Sequence, residues 1–501
     1  MTTTCCSTEA EAPVALTVLE TEPASGCCGP AEPVEESCCG PAEPVADSCC
    51  GAPEPVAVSC CGSEEPAEDA AAVQTGLSLD AALTALGGSV PVSADPTPYL
   101  QRNWLAATEA ALAEAKPWHS VALREDEAAF LPGFVFDADP LVDADPRTYL
   151  GWQPKSGDVA CCSVTSCCTD TVGQIEELGT EPFFPALLLG SPLGYRSEAV
   201  SNVEDPLLLA DLVDRIVPAA IESGVRTIIA PWLPDGPQSE VLALALQAYG
   251  GDLAFHGEDN HFQLQHDSYD AFIASLPARK RRRIKEDHDR AVAAGARIER
   301  LDGAALTPHI DRIAELTTFN RQKYGGGEDA SHIRALLASM VEGGTDVRGY
   351  LAFQDDVLVA SSVTIREGRR VFVKWAGFDY AQLGERSGLY FELVLDLPLR
   401  DAFTEGAHTV VGGPGVDAAK RLRGFRPVTI RSAVLAADPA LRPQVSAWHL
   451  AYGEDRRKAL GAEVDEATTV VGRLRSRLLG GNAGVAYEPI TPLQPEGGCC
   501  G

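Results

Sequence analysis

No cysteine in this chain stands alone. All 16 occur as adjacent pairs: Cys5-Cys6, Cys27-Cys28, Cys38-Cys39, Cys49-Cys50, Cys60-Cys61, Cys161-Cys162, Cys167-Cys168 and Cys499-Cys500. Neighbouring α-carbons lie about 3.8 Å apart, short of the roughly 4.4–6.8 Å that a disulfide spans, so a pair cannot close on itself without strain. What remains is two adjacent thiolates, a donor set suited to a soft metal or metalloid such as Cu(I), Hg(II) or As(III). A reactive acceptor in peptide modification and plain repeat drift are the alternative readings. Lysine and arginine are absent from the first 101 residues, which hold 16 acidic groups and thus half of the net charge of −32. An excess of this size opposes general nucleic-acid binding, because phosphate contacts need compensating cations. Aromatic residues are absent before Tyr99. There is no apolar run of about 18 residues and no basic-then-apolar leader, so a cytoplasmic protein without a membrane partner is expected.

Residues 1–92 carry a countable repeat. The pairs at Cys27, Cys38, Cys49 and Cys60 recur every 11 residues, as CCGPAEPVEES, CCGPAEPVADS, CCGAPEPVAVS and CCGSEEPAEDA. The paired prolines of most units forbid a continuous helix, and without aromatics the segment cannot bury a core. It reads as a disordered acidic arm, with a short helix expected at Ala70–Leu86. From Pro96 the texture is globular and mixed α/β. The expected order is a helix at Tyr99–Ala115, strands at Trp118–Arg124, Ala129–Phe136 and Phe184–Leu189, a helix at Glu204–Ser223, a strand at Val225–Trp232, a helix at Ser239–Tyr249 and a strand at His261–Gln265. A polar insertion at 137–182 carries CCSVTSCC. This first domain spans 93–268. Connector helices follow at 269–294, then a second domain at 295–440 that repeats the order, C-terminal helices at 441–479 and a disordered tail at 480–501.

The second domain contains the stretch VFVKWAGFDYAQLGERSGLYFELVLDLPLRDAFTEGAHTVVGGPGVDAAKRLRGFRP, Val371–Pro427. Its pattern is strand, glycine-bearing turn, helix from Leu389 to Thr404, and strand at Thr409–Val411. Glycines and a cation at a helix amino end suit an anionic phosphate, which makes Gly384, Arg386, Ser387 and Gly388 candidates for binding a donor. Acyl transfer to an amine needs a base and an acid, for which Lys374, Tyr390 and Glu392 are the candidates, with Asp379 and His408 nearby. Their bland readings are a solvated strand face for Lys374, packing for Tyr390 and a surface position for His408. The run ARKRRRIK sets five adjacent cations, Arg279–Arg283, near a helix start, against the macrodipole. This suggests a phosphate-rich or acidic partner.

Across Pro96–Asp438 the chain resembles the double-domain Fem-like relatives of the GNAT acyltransferases, often called peptidoglycan-biosynthesis or BioF-two-like proteins. Three features carry the resemblance: the duplicated α/β unit, the connector HFQLQHDSYDAFIASLPARKRRRIKEDHDRA, and the closing K-x-x-R-G-F-x-P of Lys420, Arg423, Gly424, Phe425 and Pro427. Ala419 stands where the family commonly has His, and QLGERSG departs from the regular acyl-CoA loop. The resemblance implies two tandem GNAT-like domains. It also implies transfer of an acyl or aminoacyl group, from acyl-CoA or aminoacyl-tRNA, to a small-molecule or peptide amine. Lys420 and Arg423 join the expected donor-binding set, and Arg279–Lys285 is the expected tRNA contact. Two alternatives stay open: an inactive scaffold that sequesters soft metal or arsenite, and a peptide-maturation transferase. Neither the oligomeric state nor the acyl group is specified.

Overall fold

The computed structural model describes residues 71–92, 97–138, 142–152, 169–203, 206–323, 329–384 and 387–462. Every cysteine, the terminal tail, residues 139–141 and 153–168 of the polar insertion and Arg386 lie outside the described residues, so the thiol readings and the Arg386 assignment do too. Fifteen strands are present among those described. They are β1 (Ala72–Leu77), β2 (Lys116–Pro117), β3 (His119–Arg124), β4 (Glu127–Leu131), β5 (Gly133–Phe136), β6 (Ala186–Leu189), β7 (Val200–Ser201), β8 (Thr227–Pro234), β9 (Asp252–Gln263), β10 (Arg297–Asp302), β11 (Asp346–Gln354), β12 (Val357–Glu367), β13 (Arg370–Phe378), β14 (Thr409–Val411) and β15 (Arg426–Ala436).

Eleven of them form one sheet in the order β10-β11-β12-β13-β14-β9-β15-β8-β6-β5-β2, and β1-β3-β4-β7 form a second. The large sheet has an internal symmetry that explains the repeated pattern in the sequence. On one side of the β9/β15 pair, β13 and β14 run parallel; on the other, β6 and β8 do. Each parallel pair is joined by a crossover containing a helix, Pro206–Glu222 in the first half and the segment from Leu389 to Thr404 in the second. The last strand of each half is exchanged. β9 closes the first half but pairs with β14, and β15 closes the second but pairs with β8. The two expected domains therefore share one sheet, stitched by nine residue pairs between β9 and β15.

Local sequence accounts for these elements. β8 is buried on both faces over seven of its eight residues, as a central strand with a parallel neighbour should be. The helix Pro206–Glu222 buries Leu208, Leu212, Val213, Ile216 and Ala220 at helical spacing. The crossover in the second half is interrupted by a π turn at Glu392–Asp396 and resumes as Leu397–Thr404. Three expectations are corrected. Residues 72–77 form strand β1, paired with β3, and only Leu79–Ala85 is helical, capped by Ser78; residues 72–85 therefore belong to the folded unit and not to the arm expected over 1–92. Strand β10 was not expected. β9 begins at Asp252, nine residues before the expected start at His261.

Candidate functional site

A cavity of about 1190 Å³ opens at the carboxyl end of β8. This is where open α/β sheets hold ligands, beside the carboxyl ends of parallel strands. Its walls include Pro234 and Gly236 after β8, Arg196 and Glu198 from the loop after β6, His261 from β9, and Arg370 at the start of β13. Both halves of the chain thus contribute to it.

The loop after β6 is folded tightly enough to turn a charge inward. Gly190 has φ +119°, and a Cβ there would collide with the Arg196 backbone carbonyl. Ser191 N–H donates to Arg196 O at 2.7 Å, and Ser197 N–H donates to Trp232 O at 2.8 Å. The indole N–H of Trp104 donates to Ser191 Oγ at 2.8 Å. Arg196 is consequently buried, and its guanidinium is paired with Asp259 of β9.

Asp259 is itself 1 % exposed. Its Oδ1 accepts from the Asn260 N–H at 2.7 Å, and its Oδ2 meets both Arg196 and His261 Nε2, the latter at 3.2 Å. Burial alone would raise the carboxyl pKa; the Arg196 charge and the bonds from His261 and Asn260 outweigh it and hold it well below the usual carboxylate range. In turn, burial works against the charge on Arg196, while Asp259 and Glu198 stabilise it and raise its pKa. The Glu198 Oε2 atom is buried with no hydrogen-bond partner. Beside this group, Tyr99 is held neutral to unusually high pH, chiefly by burial.

The residues expected from sequence to form a site are distributed differently. Lys374 sits at a β-bulge, the extra residue between Val373 and Trp375 opposite Thr364 and Val363. It is part-buried, not on an open strand face: its Nζ donates to Leu193 O at 2.6 Å and lies 4.6 Å from the Tyr195 ring centroid and 5.2 Å from that of Trp104. Tyr390 and Glu392 pack into a separate apolar cluster. The Tyr390 ring lies 5.8 Å from Phe378, while Glu392 Oε2 meets His288 Nδ1 at 2.8 Å. Lys374 is therefore not brought together with Tyr390 and Glu392.

The expected donor-binding residues are also partly committed elsewhere. Gly384 is exposed and Ser387 half-buried. Gly388, at φ +78°, is buried against the connector helix Ala278–Ala293, where a Cβ would lie 2.5 Å from Asp287 O. Lys420 is buried and donates to Gly413 O at 2.7 Å and Pro414 O at 3.1 Å, and burial lowers its pKa to about 8. Arg423 is buried between Asp396, at 2.9 Å, and Asp287, at 3.1 Å. The closing motif thus fastens the glycine loop and the connector helix to the second half. Arg282 and Lys285 of the basic run are exposed, with side chains 75 % and 72 % accessible.

Sequence reading missed Arg196, Asp259 and His261. The available signal was the polar run Glu258-Asp259-Asn260-His261 in front of Phe262, which resembles a turn but is a buried strand.

The profile of the FemAB-like family, described as peptidoglycan biosynthesis/recognition, matches residues 176–471. The chain belongs to this family. Among solved structures it is similar to FemX, at 12 % identity and TM-score 0.45 over 74 % of this chain and 100 % of that one. It is also similar to a tandem GNAT protein from the clavulanic acid biosynthesis pathway, at 13 % identity and TM-score 0.39 over 74 % of this chain and 99 % of that one. A third likeness is to the C-terminal domain of a putative lysylphosphatidylglycerol synthetase from Agrobacterium fabrum, at 12 % identity and TM-score 0.35 over 52 % of this chain and 79 % of that one. No curated protein matches the chain significantly. No described helix is long and apolar enough to cross a membrane.

Proposed function

We propose that this protein transfers an acyl or aminoacyl group from a thioester or ester donor, acyl-CoA or aminoacyl-tRNA, to an amine bound in the cavity beside β8. Membership of the FemAB-like family supports the reaction class. The observation that carries the location is the cavity wall. It presents the His261 ring, a group suited to receive an N–H bond of an amine, with the Glu198 side chain beside it. Arg196 and Arg370 in the same wall suit an anionic portion of either substrate. The exposed cations of the connector helix favour a phosphate-rich donor such as tRNA in an otherwise acidic protein.

Hydrogen exchange of the full chain with acyl-CoA, with aminoacyl-tRNA and with candidate amines tests the proposal. Protection is expected at residues 196–203 and 259–263. If both donors and all amines leave these amides unprotected, the placement is wrong.

The cysteine pairs favour a second reading, capture of a soft metal or arsenite by vicinal thiolates. Titration of the reduced protein with Cu(I) and arsenite, with and without residues 1–70, is expected to show binding tighter than that of a simple dithiol. Equal affinity would remove this reading.

A further inference from the structure

We infer that His261 is the general base of the transfer and that Asp259 is the residue that positions it; the assignment rests on the transferase reading above. Asp259 is fully buried, faces Arg196 and receives the Asn260 N–H, so it is held ionised and can only accept hydrogen bonds. His261 Nε2 lies 3.2 Å from Asp259 Oδ2. Since that oxygen cannot donate, Nε2 must carry the hydrogen. The lone pair of the neutral ring is therefore on Nδ1, the nitrogen not engaged by Asp259. The ring lines the cavity and keeps 14 % of its side-chain surface accessible, whereas Asp259 behind it keeps 2 %. A buried carboxylate on one ring nitrogen and a lone pair on the other is the arrangement that makes an imidazole a directed base.

The backbone explains why the pair is rigid. Asp259 and His261 are two apart on β9, so their side chains leave the same face of the strand. β9 at this point is held on both sides: His261 is in register with Val411 of β14 and with Arg426 of β15. β9 and β15 are the exchanged strands at the centre of the sheet, so the base sits where the two halves join and needs both to be positioned. Glu198 lies in the same wall, and its Oε1 is linked to Asp259 through Arg196. The substrate class is an amine that presents an N–H to the His261 lone pair.

The step balances without a further reactant. The neutral amine nitrogen attacks the acyl carbonyl carbon, forming the C–N bond, while Nδ1 of His261 takes one amine proton. Collapse of the tetrahedral intermediate breaks the C–S or C–O bond to the donor. The imidazolium returns its proton to the departing thiolate or ribose alkoxide, and the base is regenerated. The products are an amide and a free thiol or hydroxyl.

The test uses the full chain in two measurements. The first needs no substrate: imidazole nitrogen shifts, assigned by comparison with His261→Gln, are expected to show that the singly protonated ring carries its hydrogen on Nε2. In Asp259→Asn a population protonated at Nδ1 is expected to appear. A native ring protonated at Nδ1 overturns the assignment. The second measures amide formation from acyl-CoA or aminoacyl-tRNA. His261→Gln is expected to lower kcat by about 10²–10⁴-fold with KM changed less than about threefold, and added imidazole is expected to restore part of the rate of His261→Ala. If His261→Gln retains the native kcat, His261 is not the base although the protein is a transferase. If the unsubstituted chain makes no amide from either donor, the transferase reading falls, and this assignment with it.

Discussion

At the scale of single residues, the fold is held together by charges that the sequence presents as surface-like. Arg423 belongs to a motif that resembled a donor contact, yet it bridges Asp287 of the connector helix and Asp396 of the π turn from a position 1 % exposed. Tyr269 adds a hydrogen bond to Asp396 at 3.1 Å. A buried pair of this kind is worth little net, but removing one partner leaves buried charge uncompensated. Arg423→Met is expected to destabilise the protein by about 3–5 kcal/mol in urea denaturation. Adding Asp287→Asn and Asp396→Asn is expected to restore part of that loss. A single substitution without effect would mean that the cluster is not a lock. Burial and pairing of this kind cannot be read from spacing, since Arg423 and Asp287 are far apart in sequence. Gly388 makes the same point: a glycine before a helix suggested a phosphate cradle, whereas its neighbour is the backbone of another helix.

Among the elements, those with strong apolar periodicity were legible. The expected Glu204–Ser223 helix is Pro206–Glu222, and Thr409–Val411 has the expected bounds. β9 was only partly legible because its Gly257–His261 segment is polar, and tertiary pairing with β14 and β15 overrides that local signal. The terminal helix Arg442–Leu460 packs on this same strand and brings its own buried His449 beside the part-buried His256 of β9. His256 has its pKa lowered to about 3 by burial first and then by Arg456 and His449; burial alone lowers that of His449, also to about 3. His449 Nε2 lies 2.8 Å from Ser432 Oγ, and the His256 ring is 5.3 Å from that of Tyr149. Both histidines are neutral in the folded protein, while the unfolded chain takes up protons below about pH 6.5. Stability from this packing is therefore complete above that pH and declines as pH falls toward 3. The protection of residues 442–460 from hydrogen exchange, relative to the intrinsic rate at each pH, is expected to fall between about pH 6 and 4. Unchanged protection across that interval would show that the histidines do not resist protonation there.

For the whole molecule, the duplicated order of elements was legible, but the exchange of β9 and β15 was not. Two copies of a pattern can each close on themselves or trade a strand, and periodicity is the same in both cases. The observed exchange predicts that the halves depend on each other. Residues 71–268 would lose β15 from beside β8, and residues 269–462 would lose β9 from beside β14, exposing long unpaired edges. Each half expressed alone is expected to be insoluble or unfolded, and the full chain is expected to melt in a single calorimetric transition. Two separate transitions, or a soluble folded half, would contradict the shared sheet as the unit of stability.

The same arrangement puts the cavity under the control of both halves, with Arg196 from one, Arg370 from the other and His261 on the strand between them. Transfer to an amine in this cavity is tested most directly by product formation. The purified full chain is incubated with acyl-CoA or aminoacyl-tRNA and a primary amine, and the mixture is followed by mass spectrometry. The expected result is an amide that forms in proportion to enzyme, with release of free CoA or tRNA. Donor that is left intact, or lost only to hydrolysis, with every amine offered would contradict it.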